Sequence, residues 1–410
     1  MTAHYIVPPY LIEHLERTAP DPSLRARYRQ SLQHDAVLRP RPAPTQRATQ
    51  EAQQAPAAGS PKREVCDAEN GTDLPGRQVR AEGEQPVQDA VVNEAYDGTG
   101  ATWKMYKECF GRDSVDNAGL PLISSVHYDR DYANAFWDGS QMVFGDGDGA
   151  IFKGFTTSID VSGHELTHGV TQHTANLTYE GQSGALNESI SDVFGSLAKQ
   201  HHLGQTAAEA DWVIGADLFQ PGVNGIGLRS MKAPGTAYDD PRLGKDPQPA
   251  HMDDFVTTTE DSGGVHINSG IPNRAFYLAA IELGGNAYGD PGKIWYQALT
   301  SGQLNANATF ADFAQATRDA ATALYGANSG QLAAVTKAWQ QVGVEPVQQP
   351  LESADLMRAA NLALDPSRLP TPSPPTQPGG PGAEPAVVPD QGVRESRPGP
   401  GHGDRPGMDR

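Results

Sequence analysis

Cysteine is nearly absent from this chain. Cys66 and Cys109 are the only two in 410 residues, so no disulfide framework carries the fold and two free thiols are expected. No apolar run approaches the length of a membrane span. Positive charge is also scarce. Lys and Arg total 31 against 50 Asp and Glu, a net charge of −19, which argues against nucleic acid and anionic membranes as partners. The N-terminal stretch MTAHYIVPPYLIEHLERTAP lacks a basic start, an apolar core and a small-residue cleavage site, so it does not read as a secretory signal. No internal repeat is visible.

Length and composition suit a soluble two-lobed globular unit with appended segments. Pro8 and Pro9 stiffen an extended lead-in, and Tyr10 to Leu15 begin a helix. A second helix is expected from about Asp21 to Leu32, capped by Asp21 or Ser23. Residues 39–60, rich in Pro, Ala, Gln and Thr, read as a flexible linker open to cleavage. The segment REVCDAENGTDLPGRQVRAEGE reads as a hairpin turned at Asn70-Gly71. Alternating runs such as LISSVHY and QMVFG continue a β-rich region, and late helices are expected near Asn273–Leu283, Ala311–Leu324 and Gly330–Val342. Ser353–Leu364 could add a short helix. Beyond it the Pro/Gly-rich tail cannot build a core and is expected to be disordered, with His402 incidental.

The run HELTH carries the chemistry. His164 and His168 stand at i and i+4 on one helical face and can reach one zinc ion. Glu165 can approach a metal-bound water without ligating the metal. Taken alone, these five residues also fit a solvated helix face. Downstream, GALNESISDVFGSLAKQ reads as a second amphipathic helix with Ala185, Leu186, Ile190, Val193, Phe194 and Leu197 as its apolar stripe. On it Glu188 is a good third ligand, and Asp192, one turn on, can accept a ring N–H from a ligating histidine. Burying two carboxylates near two histidines without a cation would be costly.

At this point the chain resembles the thermolysin-family zinc endopeptidases from roughly Glu94 to Val344. The runs ANAFWDGSQMVFGDGDG, IDVSGHELTHGVTQHTANLTYEGQSGALNESISDVFG, LRSM and DSGGVHINSGIPNRAFYL carry the likeness. It implies a two-lobed α+β fold: a β-rich N-terminal lobe (61–178) containing the HELTH helix, and a mainly helical C-terminal lobe (179–346). It also implies that His266 and Tyr179 donate hydrogen bonds to the developing oxyanion, and that Asp261 orients His266 and keeps it protonated. Asn134 and Ala135 resemble the edge segment that pairs with an extended substrate, and Arg229 the arginine that binds the carbonyl beyond the scissile bond. Phe152, Phe155, Val161, Ile214, Leu218 and Leu228 match the pocket for the residue after that bond. All six are apolar, so cleavage is expected before Leu, Phe, Ile or Val.

IVPPYLIEHL resembles the short propeptide of the protealysin-like branch. The resemblance therefore implies a precursor in which residues 1–38 inhibit the enzyme intramolecularly and self-cleavage in 39–60 frees a catalytic chain. Where the family holds paired calcium ions, this chain keeps Asp160 and Asp211 but has Lys199, Val213 and Ala216 at the other positions. These supply no anionic oxygen, so the double calcium site is expected to be lost, with Lys199 pairing to a nearby carboxylate. Calcium near DGDG, residues 146–149, is unsupported. One catalytic zinc, polypeptide substrates and a monomer are expected. The family implies secretion; without a visible signal, a cytoplasmic zymogen or signal-independent export is the alternative. Two other functions stay open. A zinc aminopeptidase would need a site for the substrate's free amine, and no such motif is found. A non-catalytic peptide-binding scaffold would be expected to lack Glu165 or a ligand.

Overall fold

The computed structural model describes residues 4–38 and 59–345. The expected tail, the helix at Ser353–Leu364 and all but the last two residues of the expected linker lie outside them. The N-terminal half is built on a six-stranded sheet in the order β1-β5-β6-β4-β2-β3. Its strands are β1 (His4–Tyr5), β2 (Arg63–Asp67), β3 (Arg77–Ala81), β4 (Leu122–Val126), β5 (Ala135–Trp137) and β6 (Met142–Phe144). The central β2-β4-β6 pairings are parallel, while β1-β5, β5-β6 and β2-β3 are antiparallel. The expected hairpin is therefore present, but Asn70-Gly71 is not its two-residue turn. Nine residues, 68–76, separate the strands, and Asp67 and Ala68 organise that loop by accepting the Glu69 and Gly71 N–H groups.

Ahead of the sheet proper lie α1 (Pro9–Thr18) and α2 (Pro22–Leu38). Pro8 takes an extended conformation as the cap and Pro9 opens the helix, because a proline at the first helical position forfeits no hydrogen bond. Asp21 Oδ1 accepts the Ser23 N–H at the head of α2, which runs beyond the expected end to Leu38. Leu11, Ile12 and Leu15 of α1 are buried in the main core, each stabilising the docked segment by about 1.5–3 kcal/mol at most. Polar ties add to this. Tyr28 donates to Asp148 Oδ2 at 2.7 Å, Arg27 pairs with Asp131 at 3.2 Å, and Tyr132 donates to Asp35 at 2.6 Å.

Helix α3 (Ala90–Phe110), which the sequence reading did not anticipate, packs against the sheet and against α4 (Ile159–Gln172) and α5 (Gly181–Leu203). The α4/α5 contact positions the site. A Cβ added to Gly163 would lie 2.8 Å from Gly195 Cα, and one added to Gly195 would lie 2.5 Å from the Asp160 carbonyl oxygen. Glycine at both positions thus lets the two helix backbones meet. The short strands β7 (Val213–Ile214) and β8 (Arg229–Ser230) pair with each other. Helices α6 (Asp261–Asn268), α7 (Gly270–Leu283), α8 (Asp290–Thr300), α9 (Phe310–Tyr325) and α10 (Gly330–Gln341) complete a helical C-terminal region. Its core includes Trp295 stacked on Trp339 with ring centroids 6.1 Å apart. Cys66 and Cys109 are both free. Among the described residues, no helix is long and apolar enough to cross a membrane.

Candidate metal centre

Two helices and one irregular segment build the centre. On α4, His164 Nε2 and His168 Nε2 face one another at 3.0 Å. On α5, the Glu188 carboxylate stands 3.4 Å from His164 Nε2 and 3.6 Å from His168 Nε2. All three residues are buried. Each outer ring nitrogen is fixed from behind. Asp192 Oδ1 meets His164 Nδ1 at 2.8 Å, as expected. For His168, Asn187 Oδ1 lies 2.8 Å and Ser191 Oγ 3.1 Å from Nδ1; neither was anticipated, although Asn187 adjoins Glu188. Both inner nitrogens are thereby turned to a common point beside Glu188 Oε2, which has no hydrogen-bond partner. Two imidazoles and a carboxylate aimed at one point are a donor set that suits a divalent metal.

Asp192 serves more than His164. Arg229 Nε and Nη2 bind its two oxygens at 2.8 Å each, and Asn273 Nδ2 donates to it at 2.9 Å. Burial opposes its ionisation, but Arg229 and His164 together hold its carboxyl well below the usual range. Glu165 differs. Its carboxylate oxygens are buried without a hydrogen-bond partner of normal geometry. Burial, then the nearby Glu188, pushes its carboxyl well above the ordinary value, and the Trp137 backbone and Arg229 offset only part of that. A carboxyl with a raised pKa is suited to exchanging protons.

The other wall comes from α6. Four successive residues there, Asp261, Ser262, Gly263 and Gly264, have φ between 50 and 82°. This left-handed turn curls Asp261 back onto the following turn, where Oδ2 accepts the His266 N–H at 2.8 Å and Oδ1 contacts His266 Nδ1 at 2.6 Å. Burial disfavours the imidazolium, yet Glu188 and Asp261 raise His266 to about 9. Tyr179 donates to Glu188 Oε1, and its hydroxyl lies 3.3 Å from His266 Nε2.

A peptide already lies in this cleft, and it is the chain's own N-terminus. The Tyr5 carbonyl oxygen sits 2.8 Å from His266 Nε2. The Ile6 N–H donates to the Ala135 carbonyl at 3.1 Å, and the Ile6 carbonyl accepts from Arg229 Nη1 at 2.8 Å. Val7 exchanges two hydrogen bonds with the Asn134 side chain, at 2.9 and 3.2 Å. Phe152, Phe155, Val161, Ile214, Leu218 and Leu228 are buried in the same continuous apolar cluster as Ile6. His164, His168, Glu188, Asp192, Glu165, His266, Asp261 and Tyr179 thus gather around the histidine pair, Asn134, Ala135 and Arg229 lie against residues 4–7, and the six apolar residues lie in the main core. Lys199 Nζ lies 3.3 Å from Asp160 Oδ2 and 2.7 Å from Asp211 Oδ2. In DGDG, Asp146 contacts His127 at 2.8 Å, and Asp148 accepts three backbone N–H groups.

Fold and centre together define a metallopeptidase, and sequence comparison gives the family. The thermolysin metallopeptidase catalytic domain matches residues 47–172 and the thermolysin metallopeptidase alpha-helical domain matches residues 175–344. The chain belongs to the thermolysin metallopeptidase family and is a zinc-dependent metalloendopeptidase. It is 49% identical to an extracellular metalloprotease of Pectobacterium carotovorum subsp. carotovorum, over 84% of this chain and 97% of that protein. It is 42% identical to a thermolysin of Alicyclobacillus acidocaldarius subsp. acidocaldarius, over 68% of this chain and 50% of that protein. A solved structure described as the precursor of protealysin, a metalloproteinase from Serratia proteamaculans, superposes with a TM-score of 0.76. It is 51% identical and is matched over 83% of this chain and 99% of that one.

Proposed function

We propose that this chain is the precursor of an endopeptidase that cleaves before bulky apolar residues, and that residues 1–38 are its inhibitory propeptide. The observation that carries this reading is the pairing of residues 4–7 with Ala135, Asn134, Arg229 and His266. An extended substrate adding a strand to β5 would make the same backbone bonds. In that alignment the Tyr5–Ile6 peptide bond takes the place of the scissile bond. Ile6 takes the place of the residue that follows it, and its complete burial in the apolar core supports selection of Leu, Ile, Val or Phe. Docking of α1 and α2 through Tyr28, Arg27 and Asp35 supports the inhibitory role.

His164, His168 and Glu188 would hold the zinc, with Asp192 and Asn187 fixing the imidazoles. Bound there, zinc would supply Lewis-acid polarisation of the carbonyl and acidify water. Glu165 takes a proton from the attacking water and delivers it to the leaving nitrogen. His266 Nε2 and Tyr179 OH donate to the carbonyl oxygen as it gains charge, and Asp261 keeps His266 charged and aimed. Arg229 orients the carbonyl beyond the scissile bond, tethered by Asp192. The name of the Pectobacterium relative supports an extracellular enzyme, and the protealysin precursor supports release by cleavage in 39–60.

The test digests an unfolded protein with the processed enzyme and sequences the new N-termini. Apolar first residues are expected. Glu165→Gln should retain zinc and lose turnover by ~10²–10⁴-fold or more. Comparable turnover in that variant would sink the assigned chemistry.

A further inference from the structure

Gln172 closes α4, one helical turn past His168. Its side chain is half-buried and turns away from the metal centre to the end of β5. Oε1 accepts the Trp137 indole N–H at 3.0 Å, and Nε2 donates to the Gly139 carbonyl at 3.2 Å. One amide thus ties the helix to the last residue of β5 and to the turn that follows it. The indole is also laid directly on the helix. A Cβ added to Gly169 would stand 3.0 Å from Trp137 Cζ2, so glycine there lets the ring approach. Trp137 in turn bears on two parts of the site. Its backbone counteracts the effect of burial on the Glu165 carboxyl, so it faces that group. Its strand is the one along which residues 4–7 lie, with His4 opposite Trp137, Tyr5 opposite Phe136 and the Ala135 carbonyl bound by the Ile6 N–H.

We infer that Gln172 is a positioning residue for the hydrolysis: through the Trp137 indole and the Gly139 carbonyl it sets β5, where the substrate lies, against α4, where Glu165 lies. Glu165 has to serve a water that attacks a carbonyl held along β5. Base and electrophile are therefore carried by separate elements. The hydrogen bonds of the helix run within α4 and the ladder bonds run within the sheet, so neither set fixes one element against the other. Apolar packing holds the two together, but it lacks the directionality of a hydrogen bond. The Gln172 amide supplies that directionality at two points. Little slack is tolerable, since a misplacement of about 1 Å can cost ~10²-fold in rate. This inference rests on the reading of Glu165 as the base and β5 as the substrate's edge.

The test uses the processed enzyme and three substitutions. Gln172→Met keeps the length and removes both hydrogen bonds, Gln172→Glu keeps the indole acceptor, and Trp137→Phe removes the indole N–H from the other side. Gln172→Met should lower kcat about tenfold, with KM changed by less than about twofold and zinc content unchanged. Gln172→Glu should recover most of that loss. Adding Gln172→Met to Trp137→Phe should cost less than Gln172→Met alone, because the shared bond is already gone. Independently of activity, the Trp137 indole proton of the full-length Glu165→Gln chain should exchange with water faster once Gln172→Met is added. Wild-type kcat in Gln172→Met, a loss confined to KM, no recovery in Gln172→Glu, additive losses in the double variant or unchanged indole exchange each overturns the inference. Should Gln172→Met fail to fold, Trp137→Phe carries the same expectation, and wild-type kcat there overturns it. Full turnover in Glu165→Gln overturns the underlying reading instead, so the two failures are distinct.

Discussion

Replacing Lys199 with methionine removes a charge and keeps most of the side-chain volume. Asp160 is fully buried. Its Oδ1 is served by Ser158 Oγ at 2.6 Å and the Gly215 N–H at 3.2 Å, while Oδ2 receives Lys199 Nζ at 3.3 Å. Methionine therefore leaves Oδ2 without its ammonium donor. Breaking a buried ion pair from one side costs about 3–5 kcal/mol. The lysine side chain is 13% exposed and its other partner, Asp211, is 48% exposed, and such a half-solvated arm adds little. The expected loss is ~2–4 kcal/mol, read as a lowered urea midpoint at pH 7 in a Glu165→Gln background that cannot digest itself. Burial already raises the Asp160 carboxyl above its ordinary value, with Lys199 as the largest opposing influence. A raised folded pKa makes ionised Asp160 a burden above that pKa, and the burden fades as pH falls through it. The gap between wild type and Lys199→Met should accordingly narrow on acidification. Adding Asp160→Asn should recover most of the loss, because the charge that lacked a partner is gone. A single-variant loss below ~0.5 kcal/mol, typical of surface changes, would refute this account. So would a double variant equal to the sum of the singles. Stabilisation of the wild type by millimolar calcium would refute the idea that the ammonium stands where the family binds that ion.

Three further outcomes are expected. Asn187→Ala should weaken zinc binding by ~10–100-fold, measured by competition with a chelator, since His168 loses the acceptor at 2.8 Å that orients it; unchanged affinity would remove Asn187 from the design. His266→Ala should lower kcat by about 10²–10³-fold with little change in KM, and a change confined to KM would contradict its role at the oxyanion. His127, raised to about 9 chiefly by Asp146, should stabilise the fold fully below its unfolded value near 6.5, and that stability should be lost as pH rises through about 9. His127→Gln should therefore cost ~1–2 kcal/mol at pH 6, after allowance for partners that are a third or more exposed. It should cost almost nothing near pH 10, as read by urea unfolding, and an equal cost at both would exclude linkage.

Periodicity and spacing made the histidine–carboxylate cluster of α4 and α5 legible, whereas Tyr179, Arg229, Asp261 and His266 came only from the family resemblance. The i, i+4 spacing of His164 and His168 requires a helix, and the stripe from Ala185 to Leu197 requires another, so Glu188 and Asp192 follow from local rules. The pairing of Lys199 with a carboxylate was expected from the resemblance, which puts a lysine at one of the family's calcium-ligand positions. The residues that escaped depend on contacts between distant segments. Tyr5 lies 261 positions before His266, and a two-residue strand such as β1 leaves no periodic trace. Helix α3 was missed although Asp89 caps it and Gly111 ends it in a left-handed conformation. Its Gly98, Thr99 and Gly100 interrupt the apolar stripe. Helix α8 opens with Asp290-Pro291-Gly292, which reads locally as a turn. Asn70-Gly71 misled in the opposite direction, because a turn-forming pair inside a nine-residue loop carries the same local signal as a tight hairpin.

The pairing of β1 with β5 has a consequence for what the mature enzyme could attack. Once residues 4–7 are gone, β5 becomes a free margin of the sheet, offering amide and carbonyl groups to any chain able to lie straight against it. A folded protein keeps its own segments engaged elsewhere and can present only a loose loop. On the proposed reading, discrimination then falls first on the victim's conformation and only afterwards on one side chain, so a protein's resistance to this enzyme would track how rarely it opens.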